Sequence, residues 1–248
     1  MMSDGEDRVA IVTGGAKGLG LAYSRALARE GYAVAIADLY DASELVGDLG
    51  DSAMSVVCDV GDPDGPDAMA QAVVERFGRI DVLINNAGYF TQIHKRPFDE
   101  LTVEEWDEAY RVNVRGSWLC CKAVVPAMRA QGGGRIINTS SMTVPSGIPD
   151  FLHYVASKAA IIGLTRSLAR ELGDDNIAVN TISPDYVPHD PDYAGRQPEM
   201  AAIIANQRCF KRDETPEDLV GTILFLAGPG SAFITGQNFY VNGGRLFN

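Results

Sequence analysis

The 248-residue chain is expected to fold as one doubly wound α/β domain, a parallel sheet of about seven strands with helices on both faces. Two observations predict this. Short, nearly unbroken Val- and Ile-rich runs recur along the chain, as parallel strands covered on both faces require. Between them lie stretches with the spacing of amphipathic helices. The composition agrees: 46% hydrophobic and 22% charged residues leave no biased tract long enough to be disordered. A chain of this length buries about 70–75% of its unfolded surface, so no staples are needed.

In order, the predicted strands are Val9–Thr13, Ala33–Ala37, Met54–Cys58, Asp81–Asn85, Arg135–Thr139, Ile177–Ile182 and Phe239–Val241. In Leu21–Glu30, the residues Leu21, Ala22, Ala26 and Leu27 share a helical face while Arg25 and Arg29 point away from it. Thr102-Val-Glu-Glu105 is a capping box that opens a long helix toward Met128, closed near the Gly132–Gly134 turn. Tyr154–Leu172 has helical periodicity throughout. Residues 183–210 carry Pro184, Pro188, Pro191 and Pro198 around the short apolar segment Met200–Ala205, the pattern of a binding loop or lid. Met1–Asp7 reads as a frayed tail. There is no internal repeat and no linker, so residues 1–248 form a single domain.

Charge and cysteine usage exclude several function classes. Thirty-three acids against 21 bases give a net charge of −12. Such a surface repels phosphate backbones and anionic lipids, so neither nucleic acid nor a membrane is expected as the main partner. No apolar run reaches the 18 or so residues needed to span a bilayer, and Met1–Asp7 lacks the basic start and apolar stretch of a signal peptide. Cys58, Cys120, Cys121 and Cys209 form no CxxC pair. They read as small thiols in a reducing cytoplasm, with no metal site.

In a doubly wound sheet, ligands bind beyond the carboxyl ends of the strands. Thr13-Gly14-Gly15-Ala16-Lys17-Gly18-Leu19-Gly20 follows the first strand and opens a helix. Its glycines allow a tight turn and close approach of backbone to a pyrophosphate. Asp38 ends the second strand, eighteen residues past Gly20. A carboxylate there can accept both hydroxyls of an adenosine ribose and repels a 2′-phosphate. Lys17 could instead pair with that phosphate. Desolvating Asp38 against it would cost more than one partly exposed lysine returns, which favours NAD over NADP.

With these residues in view, the sequence resembles the short-chain dehydrogenase/reductase family over about residues 8 to 245. Thr13–Gly20 matches the TGxxxGxG loop, Asp59 the acid after the third strand, and Asn85-Asn86-Ala87-Gly88 the NNAG motif. Asn113, Ser141, Tyr154 and Lys158 fall on the catalytic tetrad. The resemblance implies a Rossmann-type fold and cofactor contacts at Gly14, Lys17, Gly18, Leu19, Gly20, Asp38, Leu39, Asp59, Val60, Asn86, Ala87, Gly88, Tyr154, Lys158, Pro184 and Val187.

The residues themselves support the chemistry. Tyr154 and Lys158 are four apart and project from one helical face. A neighbouring ammonium stabilises a phenolate, which lets Tyr154 exchange a proton with an alcohol or ketone as hydride moves. Ser141 matches the position that orients the substrate oxygen, and alternation along the strand points its neighbour Ser140 the other way. The family also implies that Lys158 holds the nicotinamide ribose and that Asn113 sits at a local break in its helix, holding a relay water.

Two positions depart from the family pattern. The sixth strand normally ends in Pro-Gly followed by a Thr; here the segment is Pro184-Asp185-Tyr186-Val187-Pro188-His189. Asp185 is expected to take over the glycine's left-handed backbone. His189 stands where the Thr would bind the nicotinamide amide. Substrate contacts are assigned to Ser141, Met142, Val144, Phe151, Tyr154 and Tyr186, with Tyr89, Phe90, Leu152, Met200 and Phe210 as further apolar candidates. In the Gln92–Arg96 loop, Lys95 and its neighbours could meet an acidic substrate group, although a solvated loop is the plainer reading. His153 points away from Tyr154 and is read as structural. The expected activity is an NAD-dependent interconversion of a small apolar cyclic or aromatic secondary alcohol and its ketone, with phenylethanol-type dehydrogenases the nearest likeness. The rivals are an NADPH-dependent 3-oxoacyl thioester reductase and a non-catalytic NAD sensor. Small residues Ala156, Ala159, Ala160 and Gly163 suit the helix contacts of the family's homotetramer.

Overall fold

Alternation along the first strand sets the layers. In β1 (Val9–Thr13) every residue is buried; Val9 and Ile11 point into one apolar core, Ala10 and Val12 into another on the opposite face. The computed structural model describes residues 8–188 and 198–247. After β1 come α1 (Gly18–Arg29), β2 (Ala33–Asp38), α2 (Ser43–Leu49), β3 (Ala53–Val57), α3 (Gly65–Phe77) and β4 (Val82–Asn85). The second half runs α4 (Val103–Tyr110), a π-helical segment (Arg111–Gly116), α5 (Ser117–Ala130), β5 (Gly134–Thr139), α6 (Thr143–Ser146) and α7 (Leu152–Glu171). It ends with β6 (Ile177–Pro184), α8 (Pro198–Gln207), α9 (Pro216–Ala227) and β7 (Asn238–Val241).

All seven strands are parallel, in the order β3-β2-β1-β4-β5-β6-β7. The predicted strands agree with these to within two residues at each end. Met69 and Val73 of α3, Cys120, Val124 and Met128 of α5 and Ala169 of α7 fill one core. Tyr23 and Leu27 of α1 and Leu219 and Ile223 of α9 fill the other. The chain order reverses between β1 and β4, and a ligand crevice opens at that point.

The long predicted helix is present but not uniform. Its capping box closes as expected, Glu105 N–H donating to Thr102 Oγ1 at 3.2 Å and Thr102 N–H to Glu105 Oε2 at 3.1 Å. Between α4 and α5 the ladder widens over Arg111–Gly116, and Ser117 Oγ donates to the Asn113 carbonyl at 2.8 Å. Widened turns of this kind cluster at functional sites. Asn113 lies within it, 1% exposed, so the expected local break is there.

At the far end of the sheet, buried Asp81 fastens β1 to β4. Its carboxylate accepts Val9 N–H at 2.8 Å and both Arg79 Nε–H (2.9 Å) and Nη2–H (2.8 Å). Replacing it by Asn leaves the strand donor and the guanidinium short of acceptors in a dry site. Asp81→Asn is expected to cost about 3 kcal/mol, read as a lower urea midpoint at unchanged slope.

Candidate active site

The glycine-loop end of the site is built from two loops that leave β1 and β4 side by side. Thr13 Oγ1 accepts the N–H groups of Asn86 and Ala87, both at 3.0 Å. The Asn86 side chain returns the contact, donating to the carbonyls of Thr13 (3.1 Å) and Gly14 (3.0 Å). Asn86 therefore shapes the glycine loop with its side chain. Gly18 needs its left-handed φ of +53°, and a Cβ placed there would face open space. A Cβ on Gly20 would collide with the Gly14 carbonyl, so Gly20 lets the helix start close under the loop. Asp38, 8% exposed, accepts Ala16 N–H at 3.1 Å, which fixes its carboxylate at the carboxyl end of β2.

From here a cleft of about 640 Å³ runs along the carboxyl ends of the strands to Tyr154 and beyond. Gly14, Lys17, Gly18, Leu19, Asp38, Leu39, Asp59, Val60, Asn86, Ala87, Gly88, Pro184 and Val187 all line it. Gly20 lies behind the loop instead. Asp59 lines it with its carboxylate already engaged, bonded to Gly61 N–H (2.8 Å) and Arg111 (2.9 Å). The open space at Gly18 and the oriented acid at Asp38 fit a nicotinamide dinucleotide.

At the other end, α7 carries Tyr154 and Lys158 on one face. Lys158, 5% exposed, donates Nζ–H to the Thr139 carbonyl at 2.9 Å and lies 5.7 Å from the Tyr154 ring centroid. Burial pushes its pKa down to about 8. The Tyr154 ring stacks on Phe151, centroids 4.7 Å apart, with Phe90 at 5.2 Å. Ser140 and Ser141 both line the cleft but divide their tasks: Ser140 Oγ donates to the Lys158 carbonyl at 2.8 Å and anchors the helix, whereas Ser141 Oγ accepts Thr143 N–H at 3.1 Å.

Asn113 supports these groups from behind the cleft wall. Its Oδ1 accepts Tyr89 N–H at 2.7 Å, and its Nδ2 donates to Ser157 Oγ at 2.9 Å. Ser157 Oγ in turn donates to the Tyr154 carbonyl at 2.8 Å. A Cβ on Gly88 would lie 3.3 Å from Asn113 Oδ1 and 3.5 Å from Lys158 Nζ, so the two meet at that residue.

Several expectations are corrected. Asp185 does not adopt the left-handed backbone: among the described non-glycine residues only Asp150 and Asn176 have positive φ. Its carboxylate is instead buried between Arg208 (3.0 Å) and Arg245 (2.7 Å). Val144 does not reach the cleft, because Thr143 and Ser146, three apart on α6, present that face and Val144 falls on its flank. Leu152 and Phe210, both largely exposed, do not line it either. Met142, Phe151, Tyr186, Tyr89, Phe90 and Met200 do. His153 is buried edge-on to Phe151 and burial lowers its pKa, in keeping with a structural role. His189 and the tail Met1–Asp7 lie outside the described residues. Residues missed in the sequence include Tyr40, Cys58, Arg111 and Arg245. No motif marks them; loop packing and the C-terminal turn bring them to the cleft.

Fold, phosphate loop and buried Tyr–Lys pair define a dinucleotide-binding oxidoreductase. A family model described as Enoyl-(Acyl carrier protein) reductase matches residues 14–245. The chain is 37% identical, over 97% of its length and 96% of the relative's, to a probable galactose dehydrogenase of Rhizobium meliloti. It is 36% identical, over 95% and 96%, to a 3-oxoacyl-(acyl-carrier-protein) reductase of Staphylococcus aureus. The crystal structure of a 3-ketoacyl-(acyl-carrier-protein) reductase from Brucella melitensis, complexed with NADH, superposes with a TM-score of 0.89 at 29% identity, covering 97% of this chain and 98% of that one. The chain belongs to the short-chain dehydrogenase/reductase family and is an oxidoreductase acting on CH–OH groups.

The depressed Lys158 pKa has a definite sign in stability. An unfolded lysine holds its proton to pH ~10.4, so between about 8 and that value the unfolded state binds more protons than the folded one. Below that window the cofactor-free protein carries the cost of a buried ammonium; within it, stability rises with pH. Measured against Lys158→Met, the wild-type protein is expected to gain stability from pH 8 to pH 10, by at most ~1.4 kcal/mol per pH unit, in paired urea titrations.

Proposed function

We propose that this enzyme uses NAD to interconvert a small secondary alcohol and its ketone, with an apolar flank on the substrate. The observation that carries the reading is the buried Lys158 ammonium bonded to Thr139 and set beside the Tyr154 ring, with Ser141 on the same cleft. A bound nicotinamide supplies or takes up the hydride. Tyr154 Oη accepts the hydroxyl proton as the alcohol is oxidised and returns it to the oxygen in reduction. Ser141 Oγ donates to the substrate oxygen and steadies charge building there. Lys158 stabilises the phenolate and would hold the nicotinamide ribose hydroxyls of a bound cofactor. Asn113 bonds the Tyr89 backbone and Ser157 Oγ, and Ser157 bonds the Tyr154 carbonyl, so Asn113 positions the turn of α7 that carries Tyr154. Phe90 and Phe151 supply the apolar wall.

Asp38 supports NAD over NADP, since its buried carboxylate is already oriented by Ala16 and opposes a 2′-phosphate. The exposed Ala159 and Gly163 of α7 leave a small-residue face for helix contact in a homotetramer. Among the described residues no helix is long and apolar enough to cross a membrane, and we assign the protein to the cytoplasm. A 3-oxoacyl thioester reductase remains the second reading, favoured by the name of the Staphylococcus aureus relative. A mere NAD sensor would not require the Tyr154–Lys158–Ser141 arrangement.

Turnover is followed by the absorbance of reduced nicotinamide at alkaline pH, with NAD and then NADP, on a panel of secondary alcohols. NAD-linked oxidation is the expected outcome; turnover of 3-oxoacyl thioesters with NADPH alone favours the second reading. Tyr154→Phe is expected to lower kcat about a hundredfold or more while cofactor binding persists in fluorescence titration. Asp38→Ala is expected to shift the ratio of kcat/KM values with NAD and NADP about tenfold toward NADP.

A further inference from the structure

The carboxylate that replaces the family's glycine at position 185 is the centre of a buried charge cluster. Asp185, 2% exposed, accepts Nε–H (3.1 Å) and Nη2–H (3.0 Å) of Arg208 and Nη1–H (2.7 Å) of Arg245. Arg208 is itself 2% exposed and donates also to the carbonyls of Tyr186 and Arg212, both at 2.9 Å. Glu214, 4% exposed, lies 3.5 Å from Arg208, and neither of its oxygens has a hydrogen-bond partner among the described residues. Burial, then the charge of Asp185, pushes its pKa up to about 8. Asp185 is thus the one carboxylate of the cluster that is hydrogen-bonded to both guanidiniums.

Arg245 is the member that faces the cleft. Its Nη1 is held by Asp185 and its Nε by Gln207 Oε1 at 2.9 Å, while Nη2 has no partner among the described residues. The side chain is 14% exposed and lines the same cleft as Tyr154 and Ser141. The C-terminal turn that carries it packs beside the Ser141 wall, through Asn242 Nδ2 to Met142 Sδ at 3.6 Å. A second cation, Lys95, makes no ion pair among the described residues; it lies 5.2 Å over the Phe151 ring, which stacks on Tyr154. Lys158 adds a third. The acids lining the cleft lie elsewhere or are already engaged, with Asp38 bonded to Ala16 N–H and Asp59 and Glu108 on Arg111. In a chain of net charge −12, the substrate end of the cleft is thus cationic, and a cleft of one sign concentrates ligands of the other.

We propose that the substrate is a hydroxy or keto acid whose carboxylate pairs with the free Nη2 of Arg245, held in place by Asp185 and Gln207. This rests on the alcohol–ketone reading and narrows its substrate class. Arg245 is a specificity residue, and Asp185 a positioning residue that acts through it.

The test compares kcat/KM for 3-hydroxy-3-phenylpropanoate, mandelate and 3-hydroxybutyrate with that for each methyl ester, using wild type and Arg245→Gln. The expected result is at least a tenfold preference for one or more acids over their esters. Arg245→Gln is expected to erase it through KM, with the cofactor KM unchanged. Esters turned over as well as the acids would overturn the proposal while leaving the alcohol–ketone reading intact. So would a preference that survives in a folded Arg245→Gln protein. No turnover of any alcohol, acid or ester with either cofactor, in a protein that still binds cofactor, removes the parent reading and the proposal with it. Should Arg245→Gln fail to fold, wild-type inhibition decides. Benzoate is then expected to compete with the alcohol and to bind at least tenfold more tightly than benzamide; equal inhibition by the two overturns the assignment.

Discussion

Thr13 and Asn86 hold together the two loops on which every other part of the site depends. Parallel strands β1 and β4 diverge into their loops at the switch point, and nothing in the sheet ladder ties those loops to each other. One hydroxyl accepting two backbone N–H groups, and one amide donating to two carbonyls, supply the tie. Each of these groups would otherwise be a partly buried polar atom without a partner, at about 1–3 kcal/mol apiece. The glycine loop keeps its shape because the NNAG segment is there, and the NNAG segment passes under Asn113 and Lys158 because it is held at its start. The cofactor and catalytic ends are thereby parts of one hydrogen-bonded body.

The catalytic end extends the same principle inward. Asn138 Nδ2 donates to Thr165 Oγ1 at 2.9 Å, and Thr181 Oγ1 to Thr165 Oγ1 at 2.7 Å, so β5, β6 and α7 are joined by side chains in the core. Ser140 and Thr139 add two bonds to Lys158, one to its carbonyl and one from its ammonium. A buried lysine needs such anchoring, since a loosely held one would reach for water. The π-helical segment turns Asn113 toward this network from the other side. Tyr154 and Ser141 are placed by this network together with their own contacts, the Tyr154 ring on Phe151 and Ser141 Oγ on Thr143 N–H.

Charge is distributed with a similar economy. The chain carries a net charge of −12, while Lys95, Lys158 and Arg245 line the cleft. The Asp185 cluster joins the end of β6, the residue after α8 and the turn after β7. A glycine at that position would leave two guanidiniums facing each other with only Glu214 near, a costly arrangement in a dry site. Asp185, Arg208 and Arg245 therefore form one charge cluster in which the carboxylate bonds both guanidiniums.

How much of this was legible beforehand follows from the range of the contacts involved. Strands covered on both faces appear as unbroken Val and Ile runs, and a turn that needs left-handed backbone appears as glycine, because both demands are local. The spacing of Tyr154 and Lys158 on one helical turn is local as well, so the sequence by itself determined the fold, the glycine loop and the shared helical face of this pair. Tertiary structure alone decided what Ser140 does, since its bond to the Lys158 carbonyl depends on where α7 packs. It also turned Val144 aside and gave Asp185 its role. The partners of Asp185 stand 23 and 60 residues away, at Arg208 and Arg245, and no local periodicity carries information over that distance. Burial of a charge is a property of the assembled fold, visible only once the segments that neutralise it have met.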